Sequence, residues 1–360
     1  MFGEDHEVTA RGYSNLGANL QALGRYTDAA LPLTKSLAIY RKLLGEDHPA
    51  TATCYNNLAV NLKARGKAAE ATPLFEKALA IHRKVLGENH PSTAQSFGNL
   101  AANLETRGKA AEAAPLFEKT LVILQKAVGE GHPATAAGYS SLALNLQARG
   151  RHSEATPLFE KALAIRRGVL GEDHAHTATS YSNLAINLET RGKFSDAAPL
   201  FEKSLAIRRK VLGEDHPDTA GGYNLLAVNL EDLGKLDEAV PLLGKSLTIR
   251  RKVLGEDHPD TAVSYGNLAF NLQARGKVTE AAPPLEKSLA IHRKVLGEDH
   301  PLTANSYCNL ALNLHARGKT DEAAELLRQA IYSAEASRLN RAKGVERAIG
   351  AGVGGVPLPL

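Results

Sequence analysis

The sequence predicts an all-α solenoid of about eight helix hairpins, and three observations carry that expectation. A histidine recurs at His6, His48, His90, His132, His174, His216, His258 and His300, each 42 residues after the last. Nearly the same words return around it, as in Leu254-Gly255-Glu256-Asp257-His258-Pro259-Asp260-Thr261-Ala262. Between these words the apolar residues fall at the spacing of one helical face. A period of about 20–50 residues marks a repeat array. Eight such units leave no room in the 360 residues for a separate catalytic domain.

The second repeat serves as the model unit. Pro49 suits the first turn of a helix, where its missing N–H is not needed, and Asp47 or His48 can cap the free amides. Helix A is expected from about Pro49 to Arg65, with Tyr55, Leu58, Ala59 and Leu62 on its buried face and Gly66 as a left-handed stop. Helix B follows from about Ala68 to Leu86, burying Ala71, Leu74, Phe75, Ala78, Leu79, Ile81 and Val85, and Gly87 ends it. Two such helices still leave an apolar flank, so adjacent hairpins have to stack. Pro73 and its equivalents Pro115, Pro157, Pro199, Pro241 and Pro283 lie early in helix B, where at most one backbone bond is lost. Helix B ends on basic residues, as in Arg208-Arg209-Lys210, and the linker after it is acidic, as in Glu214-Asp215. Both charges oppose helix dipoles, which accounts for them without a dedicated basic patch.

The array is expected to span 1–336, with repeats at about 6–47, 48–89, 90–131, 132–173, 174–215, 216–257, 258–299 and 300–337. Residues 338–349 read as a capping extension of the last helix, and 350–360, rich in Gly and Pro, as a flexible tail. Residues 1–6 match the end of a repeat whose helix is missing, so a longer parent protein is one reading of the sequence.

Composition narrows function further. Forty-three basic residues against 39 acidic ones leave a net charge of +4, with both signs interspersed, so nucleic acid is not an expected partner. No apolar run approaches the ~20 residues that span a bilayer, and no signal sequence opens the chain, which points to a soluble, cytoplasmic protein without a membrane partner. Cys54 and Cys308 lie in the second and eighth repeats and read as free thiols. Successive linker histidines lie a whole repeat apart, too far to share a metal ion, so capping explains them better. No nucleophile with its base, phosphate-cradling loop or carboxylate pair stands outside the repeat pattern, and neither enzymatic activity nor a cofactor is expected.

The skeleton Tyr55-x-x-Leu58-Ala59-x-x-Leu62-x-x-x-Gly66, followed by Ala71, Phe75 and Ala78, resembles the tetratricopeptide repeat. The 42-residue unit, with Asn56-Asn57-Leu58-Ala59, Gly66-Lys67, Pro73-Leu74 and Leu86-Gly87-Glu88-Asn89-His90-Pro91, is similar to the kinesin-light-chain type. The aromatic that follows Gly-Lys in that pattern survives only as Tyr26 and Phe194, and the second-helix aromatic becomes Leu243 and Leu285. A heptad segment for pairing with a motor heavy chain is missing.

The resemblance implies a right-handed superhelix whose A helices line a concave surface, where a protein or peptide ligand lies. On that basis the groove residues would be Asn57, Asn99, Asn183, Asn267 and Asn309, with Asn15 in the first repeat and Ser141 and Leu225 breaking the row. A carboxamide carries donors and an acceptor, so such a row can grip an extended backbone. A second row runs through Asn19, Asn61, Asn103, Asn145, Asn187, Asn229, Asn271 and Asn313, about 40° further round the helix. It is a candidate either for ligand contact or for bonding neighbouring helices. Beside the first row lie Val60, Ala102, Leu144, Ile186, Val228, Phe270 and Leu312, an apolar strip suited to anchor side chains or to packing between repeats. One turn on, Lys63, Glu105, Gln147, Glu189, Glu231, Gln273 and His315 form a mixed edge.

The reading that follows is a non-catalytic scaffold binding a partner's peptide segment. The alternatives are a sensor region of a larger signalling NTPase-type protein and, less favoured, an RNA-binding helical array. The first hairpin has no neighbour on one side and is expected to fray first. Amide exchange should be faster in the first repeat, about 6–47, than in the fourth, and equal protection would refute this.

Overall fold

A helix with a single apolar stripe has to bury it, and a chain of such helices joined by short linkers does so by pairing each with the next. The computed structural model describes residues 6–352, with side chains over 6–336. These residues form sixteen helices and no strand. In order they are α1 (Glu7–Ala22), α2 (Tyr26–Leu44), α3 (Pro49–Ala64), α4 (Ala68–Leu86), α5 (Pro91–Thr106), α6 (Ala110–Val128), α7 (Pro133–Ala148) and α8 (His152–Leu170). They continue as α9 (Ala175–Thr190), α10 (Phe194–Leu212), α11 (Pro217–Asp232), α12 (Leu236–Val253), α13 (Pro259–Ala274), α14 (Val278–Leu296), α15 (Pro301–Ala316) and α16 (Thr320–Gly352). Odd helices are the A helices and even ones the B helices of about eight hairpins in an all-α solenoid.

Two compact units divide the array within α8, one reaching from the N-terminus to Ile165 and the other from Arg166 to Lys343. In the first, α1 pairs with α2, α3 with α4 and α5 with α6, and each B helix packs on the next A helix. The second repeats the scheme through α9–α10, α11–α12 and α13–α14. The core is a series of linked clusters. One joins Ala59, Phe75, Leu79, Phe97 and Leu100 across α3, α4 and α5, and its counterpart in the second unit joins Ala185, Phe201, Leu205, Tyr223 and Leu226. Phe75 and Phe201 are fully buried, and Leu243 and Leu285 take the same position in later repeats. Full burial of such a side chain contributes about 1.5–3 kcal/mol.

Each residue of the recurring word has a structural task. Gly66 and Gly87 end α3 and α4 with φ of 77° and 89°, a region that side-chain-bearing residues avoid. His48 caps α3, its Nδ1 accepting from the Ala50 N–H at 3.1 Å, and Pro49 follows at the first helical position. Thr51 Oγ1 donates to the Gly45 carbonyl at 2.8 Å. Glu46 accepts from Arg41 of α2 at 2.7 Å, from the Tyr55 hydroxyl of α3 and from Lys77 of α4, so one carboxylate ties three helices. The Lys77 ammonium also lies 4.7 Å from the centre of the Tyr55 ring. Asp47 pairs with Lys84 at the far end of α4, closing the hairpin. The basic ends of the B helices are thus engaged in named ion pairs beyond any dipole effect.

The buried row of asparagines locks one repeat to the next. Asn61, Asn103, Asn145, Asn187, Asn229, Asn271 and Asn313 are all fully buried. Asn103 Nδ2 donates to the Ala68 carbonyl at 3.0 Å, the first residue of the preceding B helix. Asn61, Asn145, Asn229, Asn271 and Asn313 make the same bond to Tyr26, Ala110, Phe194, Leu236 and Val278. Asn19 is exposed.

Two expectations need correction. Val85 is 47% exposed, and His82, at 3%, takes the interior place on that turn of α4. The last helix, α16, runs through the stretch assigned to a capping extension and on to Gly352, so it enters the segment assigned to a flexible tail. Residues 353–360 lie outside the described residues.

Asn145→Ala removes the bonds to Ala110 and, at 2.7 Å, to Glu105, and should cost about 1–3 kcal/mol in chemical denaturation. An unchanged midpoint would refute the interlock. The linker carboxylates make a second prediction. Lys77 and then Tyr55 hold Glu46 at about 2 against its ordinary 4.5. Tyr223, followed by Arg209, lowers Glu214. A carboxylate depressed on folding contributes stability above its unfolded pKa and loses it as pH falls through the folded one. Tyr223→Phe should therefore lower the melting temperature at neutral pH, and the gap from wild type should close as pH falls below the ordinary carboxylate value of 4.5 and through the lowered pKa of Glu214.

Candidate functional site

Between successive A helices the stack leaves a trough, because the A helices touch lightly while the B helices behind them carry the packing. In the first unit one trough runs between α5 and α7 and encloses about 630 Å³. Its walls are Gln95, Asn99, Ala102 and Glu105 on one side and Ala137, Ser141 and Leu144 on the other. Phe117, Thr120 and Leu124 of α6 lie at its floor. Gly98 opens that floor, since a Cβ there would stand 3.5 Å from Thr120. In the second unit a trough of about 230 Å³ lies between α13 and α15, walled by Val263, Asn267, Phe270, Asn305 and Asn309 over Ser288 and His292 of α14.

The residues expected in a groove divide into three groups. Asn99, Asn267 and Asn309 line these troughs, with Asn309 exposed, and Asn57 and Asn183 are half-buried at the equivalent place. Part of this row is engaged between A helices, for Asn57 Nδ2 donates to Ser14 Oγ at 3.4 Å and Asn267 Nδ2 to Asn224 Oδ1 at 2.6 Å. Leu144 and Phe270, 46% and 62% exposed, form apolar rims. Ile186 and Val228 are half-buried, Ile186 packing against the core of its unit. The third group, Asn61, Asn103, Asn145, Asn187, Asn229 and Asn271, is closed to a ligand by burial. For these six, candidacy as ligand contacts is corrected: position 40° round the helix is enough to turn a groove residue into an interface residue.

Charge on the trough edge follows from the same bonds. Glu105, Glu189 and Glu231 accept from Asn145, Asn229 and Asn271 at 2.7, 3.2 and 2.8 Å. Burial raises the pKa of Glu189 and Glu231, and the asparagine bond opposes it.

Sequence reasoning missed the floor. Leu124 and His292 sit at one position of the B helix, which Arg208 and Arg250 occupy in α10 and α12. Arg208 bridges Ser182 of α9 at 3.3 Å and the Asp218 carbonyl of α11 at 2.9 Å. Arg250 bonds the Asp260 carbonyl and Ser264 of α13 at 2.9 and 2.8 Å. Burial lowers the pKa of both, with Asp218 and Asp260 opposing it. The available signal was variation, with an apolar, a cationic and an imidazole residue at one place in an otherwise repeating word.

Among the described residues no group of three His, Cys, Asp or Glu is placed to hold a metal ion, and none of the helices is long and apolar enough to cross a membrane. The arrangement offers hydrogen bonds and apolar contact, the means of recognition.

The nearly identical TPR-like repeats of a kinesin-light-chain candidate from Podosopora anserina are similar in structure, with 33% identity over 57% of this chain and 97% of theirs and a TM-score of 0.50. BtubC (BKLC) from P. vanneervenii is 21% identical over 74% of this chain and 95% of its own, with a TM-score of 0.50. The apo form of the quorum sensor NprR from B. thuringiensis, at 15% identity over 91% and 88% of the two chains, reaches 0.67. The last two are likenesses of fold. No curated protein matches the chain. A family model described as the tetratricopeptide repeat matches residues 8–83, 56–126, 99–167, 134–210, 218–294 and 265–336, and the chain belongs to that family.

Proposed function

We propose that this protein is a non-catalytic interaction scaffold that binds an extended peptide segment of a partner protein in the troughs between its A helices. The observation that carries the reading is the pairing, in each unit, of an open trough with an apolar rim and carboxamide walls: Leu144 with Asn99, and Phe270 with Asn267 and Asn309. An apolar rim offers an anchor site, and carboxamides match a peptide backbone without demanding particular side chains. The floor and edge residues, which differ from trough to trough, then select among sequences. Stability supports the same division, because the residues common to every repeat are occupied in holding helices together.

The reading is tested by selecting a displayed random heptapeptide library on the immobilised full chain and measuring the enriched peptides by titration. Leu144→Asp or Phe270→Asp should weaken a peptide seated in the corresponding trough by about tenfold or more, the loss of a desolvated anchor. Glu160→Ala and Glu202→Ala, exposed on B helices, should leave it unchanged. Equal effects of the two sets, or no enriched peptide, would refute the reading.

A further inference from the structure

His292 and His82 occupy the same place in α14 and α4, and each is 3% exposed. Each holds its Nδ1 2.8 Å from a serine hydroxyl of the next A helix, Ser306 and Ser96 respectively. Burial lowers the pKa of both rings, with the Pro259 and Pro49 carbonyls opposing it, so both are neutral at physiological pH.

What lies beside the two pairs differs. Next to His82 and Ser96, Asn56 of α3 is itself buried and donates Nδ2 to Ser96 Oγ at 3.1 Å. The equivalent residue beside His292 and Ser306 is Gly266, and the trough of about 230 Å³ stands open there. A Cβ on Gly266 would find its nearest neighbour, Ser288 Oγ, 3.8 Å away, so the space is real and not filled by a shifted backbone. Gly266 has a second effect. Asn267 donates to Asn224 of the preceding A helix, but Asn309, one repeat on, faces Gly266 at that place and is exposed.

We propose that the pocket beside His292 and Ser306 is a side-chain subsite of the groove that takes a carboxamide, an asparagine or glutamine of the partner peptide. The proposal rests on the groove reading above and adds what one trough selects. Asn56 shows within this chain that a carboxamide fits against a histidine–serine pair, there with Ala78 where the second pair has Ser288. No charged side chain lines the pocket, so a carboxylate or ammonium entering it would lose water without gaining a countercharge. Ser306 Oγ, 2.8 Å from His292 Nδ1 and 3.5 Å from Ser288 Oγ, keeps a lone pair for a further donor, and an aliphatic side chain would cover it and the Asn309 carboxamide without answering them. A carboxamide brings two donors and an acceptor to both.

The same heptapeptide selection on the full chain supplies the probes. Among peptides whose binding Phe270→Asp weakens, glutamine or asparagine should be enriched at one position, and changing it to Glu or Leu should weaken binding about tenfold. Gly266→Asn puts the Asn56 side chain in the pocket. This variant should bind the parent peptide about tenfold more weakly and no longer distinguish Gln from Leu at that position. Ser306→Ala, which removes the hydroxyl and adds no volume, should reduce the same preference and decides the matter if Gly266→Asn does not fold. Enriched peptides with no carboxamide preference, or a preference that survives in the folded variants, would overturn the subsite and leave the groove standing. A selection that enriches nothing would overturn both.

Discussion

The constraint on which the rest of the structure depends is the junction between one hairpin and the next, and the buried asparagine of helix A governs it. A purely apolar interface between similar helices tolerates sliding by a turn, since every turn presents alanines and leucines. A carboxamide that has to meet the carbonyl of one particular residue does not. In Asn103, Asn145 and Asn271 the Nδ2 has found its carbonyl while Oδ1 has no hydrogen-bond partner among the described residues. A half-satisfied buried amide contributes modestly to net stability, so its effect lies in fixing register, as buried polar residues do in coiled coils. Fixed register is what brings equivalent helix positions to the walls of each trough.

The linker word serves the same end from the outer surface. Glycine stops the B helix, histidine and proline start the A helix, and the glutamate between them collects an arginine, a tyrosine and a lysine from three helices. The third repeat shows that the arrangement tolerates a missing part. Phe97 has no hydroxyl, yet Glu88 keeps Arg83 at 2.6 Å and Lys119 at 3.6 Å. Each such contact is exposed and individually weak, and their number along the array makes them count together. The most repeated residues in the sequence are therefore the least available for a ligand.

Helix boundaries, the hairpin unit and the stacking were legible in the sequence because each is written in local chemistry repeated eight times. Pro49 and Gly66 bracket α3, and the expected end at Arg65 lies one residue beyond the observed one at Ala64. The candidate site was legible only in part. Asn57 and Asn61 look alike in sequence, and a rotation of about 40° separates a half-buried trough wall from a sealed interface, a distinction that periodicity alone does not resolve. Val85 and His82 show the same limit, since hydropathy placed the valine inside and the packing chose the imidazole. The B-helix floor was missed because a groove lined by A helices directs attention to them, whereas the light contact between A helices lets the layer behind show through.

Near-identity of the repeats is what makes the differences interpretable. When a frame is common to every unit, a residue that changes at one position is released from the frame's demands, and its chemistry is free to serve a ligand. Leu124, Arg208, Arg250 and His292 share one backbone setting and differ in charge and shape. Gly266 and Asn56 share another, and only the presence of a side chain separates an open pocket from a filled one. A trough floored by Leu124 and one floored by the neutral imidazole of His292 do not offer a side chain the same partners, because the cost of burying a polar group depends on what faces it. On the proposed reading, specificity comes from the positions that vary, both on the B-helix floor seen between A helices and at A-helix sites such as Gly266, while the repeated residues hold the frame.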